Sequence, residues 1–119
     1  MTEECTGYSE TEWQQMFDEN TKHLELMPDC AGAWVRHAIL IMMDDHPERH
    51  ENLGLDAAER CILRALELNP DHLEALEEAA HFYDVMMPAR DKATMYEEQY
   101  IQVAGRVAAD MQAIVDDLN

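Results

Sequence analysis

Leu24-Glu25-Leu26-Met27-Pro28-Asp29 recurs 42 residues later as Leu66-Glu67-Leu68-Asn69-Pro70-Asp71, with five of the six positions identical. Each copy carries the same physical instructions. The Leu-x-Leu pair closes an apolar helical face, Pro lacks the amide a continuing helix needs, and the Asp after it is a ready cap for the next helix. A helix end, a tight turn and a helix start at a fixed period indicate stacked helix-turn-helix units.

Working outward from the two copies, the remaining punctuation divides the chain into segments of helical length. Only four Gly and four Pro are present, and the breaks fall at Gly7, Pro28, residues 47–54, Pro70 and Pro88. Ser9 with Glu12 forms a capping box ahead of Trp13, Met16, Phe17 and Leu24 at helical spacing. Asp29 caps a segment reaching about Met43, Asp56 with Glu59 opens one ending near Leu68, and Asp71 with Glu74 opens one ending near Met87. Residues 91–118 hold no Pro and one Gly, Gly105, which leaves one long helix or two hinged there. No strand-like alternation competes, so the expected class is all-α, with about five or six helices in antiparallel pairs stacked as a short α-solenoid.

The residues around the recurrence carry a resemblance. Ala58-x3-Ile62-x2-Ala65-x4-Pro70 resembles the second helix of a tetratricopeptide repeat, which has Ala, Phe, Ala and Pro at these places. Trp34-x2-His37-Ala38-x2-Ile41 resembles the first helix, as does Leu76-x2-Ala79-Ala80-x2-Tyr83. The family period is about 34 residues, so the 42 here places extra residues in an inner loop at 44–55. On this resemblance the single domain 1–119 divides into a half repeat (9–27), a full repeat with the long loop (29–70) and a degenerate repeat (71–105), with 106–118 as a capping helix or helix extension. Val107, Met111, Ile114 and Leu118 then form an apolar stripe available to cap the open end. The expected core takes Trp34, Ala38 and Ile41 from one helix, Ala58, Ile62 and Ala65 from the next, and Leu76, Ala80 and Tyr83 from the third. Arg64, Glu67 and Glu77 are expected to be exposed.

Charge restricts the partners. Lys and Arg number 8 against 26 Asp and Glu, a formal net charge of −18 that stays negative with all six His protonated. Nucleic acid and anionic membrane surfaces need clustered Lys and Arg and are excluded as partners. No apolar run reaches the roughly 20 residues of a membrane span, and the acidic first residues lack a signal-peptide layout. Three cysteines without metal spacing, Cys5, Cys30 and Cys61, read as reduced thiols, and the expected location is cytoplasmic. Dense acidity has two readings: a surface suited to a salt-rich cytoplasm, or a docking surface for a basic partner.

The family's contact surface is a concave groove lined by the first helix of each pair. Carried over by spacing, it takes Val35, Ile39 and Met42 from one helix, and Glu74, Glu77, His81 and Asp84 from the other. Family members that grip C-terminal carboxylates use Lys, Arg and Asn at such places. The carboxylates here repel that ligand and favour a peptide or helix with apolar anchors and Lys or Arg. Met42-Met43 and Met86-Met87 fit an adaptable groove, but core filling is the stronger reading. Asp44, Asp45, His46, Glu48, His50 and Glu51 have metal-ligand chemistry without ligand spacing, because Pro47 keeps the two His off one helix face, and a solvated loop is favoured. No nucleophile is paired with a base, so no catalytic residue, metal or cofactor is assigned. The expected function is a non-enzymatic protein-interaction module of adaptor or chaperone type. Self-association into a homodimer through the C-terminal stripe is the first alternative, and metal binding by the 44–51 loop the second.

Overall fold

The computed structural model describes residues 10–43 and 54–118. Among them the chain is all-α: α1 (Glu10–Leu26), α2 (Ala31–Met42), α3 (Leu55–Leu68), α4 (Leu73–His81) and α5 (Arg90–Leu118). After His81 the path continues as a π-turn over Phe82–Met86. Antiparallel helices pack in chain order, α2 most extensively against α3 and α4 against α5, with α4 also touching α2. This is a short stack of helix pairs.

Both recurring motifs end a helix, but the starts differ from expectation. The N-caps are Cys30 and His72, one residue beyond the expected Asp29 and Asp71. In each copy a turn occupies the Asp position: the Cys30 amide donates to the Met27 carbonyl at 3.2 Å and the His72 amide to Asn69 at 3.1 Å. His72 Nδ1 then accepts from the Ala75 amide at 3.1 Å, satisfying one of the unpaired donors of the first turn. Asp71 instead lies 3.5 Å from Arg106 on α5. The third helix is capped by Gly54, with Asp56 already inside its first turn. Ser9, of the expected first capping box, lies outside the described residues. Residues 90–118 form one continuous helix of 29 residues, so Gly105 does not hinge it.

Small side chains fill the centre of the core: Ala38, Ala58, Ala65, Ala75 and Ala79 are all fully buried. Ala38 and Ile41 of α2 cluster with Ala58 and Ile62 of α3 and with Ala79, Phe82 and Tyr83 beyond. Val35, Ala65 and Ala75 form a second cluster where α2, α3 and α4 meet. Val35, Ile62, Leu76 and Phe82 are the largest fully buried side chains, each stabilising by about 1.5–3 kcal/mol through removal from water. Arg64, Glu67 and Glu77 are exposed, as expected. Two expected core positions are only half-buried. Trp34 keeps an edge near the surface, where its indole donates to the Pro28 carbonyl at 2.8 Å. On α4 Ala75, Leu76 and Ala79 are fully buried and face the stack, and Ala80 turns toward α5.

α1 docks on α2 through polar anchors. Trp13 is buried and its indole donates to the Leu40 carbonyl at 2.7 Å. Asn20, also buried, donates from Nδ2 to the Ala33 carbonyl at 3.0 Å, which fixes its amide orientation. The same nitrogen lies 3.3 Å from His37 Nδ1, which therefore accepts. Phe17 packs on the His37 ring at 4.7 Å between centroids. His37 is thus a satisfied histidine, and burial lowers its pKa from the ordinary imidazole value.

Candidate functional site

The residues expected to line one groove are distributed over two recesses and the core. Val35 is fully buried against Ala65 and Ala75, which removes it from any groove wall. The physical reason is that α4 crosses directly over it. Met42 is half-buried and packs on the core with Met86 and Met87, so three of the four paired methionines fill space inside. The remaining five positions are solvent-facing or partly so.

The first recess lies where α1, α2 and the start of α4 converge. Met16, Ile39, Leu40 and Met43 floor a hollow of about 200 Å³, with Arg36 and Glu74 as its charged members. It shares Met16, Arg36, Leu40 and Glu74 with an adjoining hollow of about 440 Å³ that extends along Asn20, His23 and Cys30. Of the expected groove residues, Ile39 and Glu74 line this recess. Met16 and Leu40 were not expected there: one belongs to the preceding half repeat, and the other is indistinguishable by pattern from its apolar neighbours. A larger recess, about 580 Å³, runs along the polar face of α1 alone and has no second helix to close it.

The second recess lies between α4 and α5. It measures about 290 Å³ and is lined by Glu77, Asp84 and Glu97 with Ala80, His81, Tyr100 and Ile101. Among the described residues, no Lys or Arg lines it. Glu97, Tyr100 and Ile101 come from α5 and were outside the expected set, which was drawn from the first helix of each pair alone. Three carboxylates, a phenol and an exposed Ile suit a cation on an apolar stem, which buries its methylenes while its head meets the carboxylates.

Several other reactive groups are committed to structure. Burial pushes the Cys61 thiol up to about 11 despite the opposing charge of Arg60, which keeps it protonated. Tyr83 donates to Glu59 at 2.6 Å, and burial together with that carboxylate raises its pKa well above the ordinary phenol value. Lys92 Nζ sits 5.0 Å above the same ring. Glu78 on α4 is half-buried and its pKa is raised, first by desolvation. No group of three or more metal-ligating side chains occurs among the described residues, and the 44–51 loop lies outside them. No described helix is long and apolar enough to cross a membrane. Compared with protein-family models, curated proteins and solved structures, the chain matches none.

Proposed function

We propose that the chain is a non-enzymatic protein-interaction module, a degenerate member of the tetratricopeptide-repeat kind, that holds a peptide segment across its first helices. The observation that carries this reading is the recess with the Met16, Ile39, Leu40 and Met43 floor, with Arg36 and Glu74 beside it. Two helices and the start of a third contribute to it, so it depends on stacking and not on any single element. Flexible thioethers at two of its four apolar positions let it accept anchors of differing shape. An apolar side chain fills the floor, and flanking polar groups of the segment meet Arg36 and Glu74. A non-enzymatic role fits the commitment of His37, His72 and Cys61 to packing and capping.

Selection from a random peptide library on the immobilised chain tests the reading. The expected outcome is a set of peptides with a recurrent apolar anchor whose binding is lost in an Ile39→Glu, Glu74→Lys variant. Recovery of no peptide above a blank surface, or equal binding to the variant, would refute it.

A further inference from the structure

We infer that the exposed α4–α5 end of the stack is a second interaction surface, one that seats a cationic amphipathic helix of another protein. It uses different residues from the recess proposed above and stands or falls separately.

α4 settles into the junction of the preceding pair, where Val35 of α2, Ala65 of α3 and Ala75 of α4 close together. The α4–α5 pair presents the next junction of the same kind. The N-caps of α2 and α4 are 42 residues apart, which aligns Val35 with Glu77, Ile39 with His81 and Met42 with Asp84. Where the first junction offers apolar groups and is filled, the second offers carboxylates and is open.

α5 supplies the other wall of this surface. Its docked face runs through Ala93, Tyr96, Tyr100 and Val103, all buried or half-buried. The same face continues as Val107, Met111, Ile114 and Leu118, now 44%, 56%, 55% and 80% exposed. These four side chains are exposed on a helix that runs on without a break, the extension rather than the cap of the two expected forms. Four apolar residues spaced 4, 3 and 4 along about 1.5 Å per residue form a track that another helix reads at its own i, i+3, i+4 positions.

Charge decides the occupant. Glu77, Asp84 and Glu97 line the recess, and the arm beyond carries Asp110, Asp116 and Asp117 against Arg106, which is already beside Asp71. A second copy of this chain brings −18 of its own. Its α1 adds several carboxylates against Lys22 alone of Lys and Arg, and its own α5 arm adds three more. Both juxtapose like charges with this surface. A helix with an apolar stripe flanked by Lys or Arg satisfies the stripe and the carboxylates together.

The probe is a synthetic Leu/Lys amphipathic peptide of about five helical turns, with a Leu/Glu peptide of the same pattern as control, titrated by fluorescence anisotropy at about 0.15 M salt. Glu77→Lys, Asp84→Lys, Glu97→Lys reverses the recess. Glu25→Lys, Asp29→Lys, Glu67→Lys changes net charge equally at exposed positions elsewhere. The expected result is Leu/Lys binding that falls about tenfold or more in the recess variant and in Met111→Asp, and much less in the displaced-charge variant. Equal loss in both charge variants means net charge alone attracts the peptide, and overturns the proposal. So does equal binding of the Leu/Glu peptide. A dimer in sedimentation that Met111→Asp dissolves makes a second copy the occupant and also overturns it.

Discussion

α2 and α4 each begin behind a Pro-Asp turn, and each packs against the helix that follows it, yet their third faces meet opposite fates. On α2 that face is covered by α4, and Val35 is completely buried there. On α4 the aligned residue is Glu77, exposed at the edge of a recess that holds two further carboxylates. Place in the stack, more than place in the repeat, sets what a residue must be. An interior repeat needs apolar groups on both faces, whereas the terminal one has a face free to carry charge.

Exchanging the two residues gives the sharpest way to break this comparison. Val35→Glu buries an unpaired carboxylate and is expected to cost at least about 4 kcal/mol, unfolding much of the population. Glu77→Val is expected to stay within about 0.5 kcal/mol. Urea melts of both measure it, and similar losses would mean the two faces are equivalent after all. Next in size is Ala65→Leu, which crowds Val35 and Ala75 at the α2–α3–α4 junction and is expected to cost about 1–3 kcal/mol. Glu67→Leu, two residues on but exposed, is expected to be nearly neutral, because both residues are good helix formers.

Asn20→Ala sharpens the role of α1. It removes the donor to the Ala33 carbonyl and to His37 Nδ1, and is expected to cost about 1 kcal/mol. A smaller effect follows from pH. The folded pKa of His37 is lowered by burial, so the unfolded chain binds its proton more readily. Its contribution is fully present above the ordinary imidazole value and declines as pH falls below it toward the folded value. The melting temperature of the wild type should therefore drop relative to His37→Phe between pH 7.5 and 5.5, values bracketing an ordinary imidazole pKa of about 6.5. A constant difference would show that His37 does not titrate with folding. Smallest of all is Leu118→Ser, expected to leave the melt unchanged because this side chain is exposed.

Much of the architecture was legible from punctuation. Pro28 and Pro70 end α1 and α3 where a helix lacking an amide must stop, and the small residues Ala58 and Ala65 are fully buried, as the resemblance implied. What sequence could not supply was the phase of α2. Its twelve residues, Ala31 to Met42, are apolar except at Gly32, Arg36 and His37, so periodicity does not separate Val35, which is buried under α4, from Ile39, which faces a recess. The caps slipped by one residue because the turn after Pro consumes the Asp before the helix begins. Asn20 reads as a surface amide until α1 lies on α2. The stripe on α5 has the same spacing docked or free, so spacing alone does not decide which.

An amide-by-amide NMR titration of the isotopically labelled chain with the Leu/Lys peptide tests the unequal ends most directly. Shifts confined to Glu77–Asp84 and to α5 from Glu97 onward are the expected result. Shifts centred on Met16, Ile39 and Met43, or spread evenly over every acidic face, would contradict the assignment of the α4–α5 end as a helix seat.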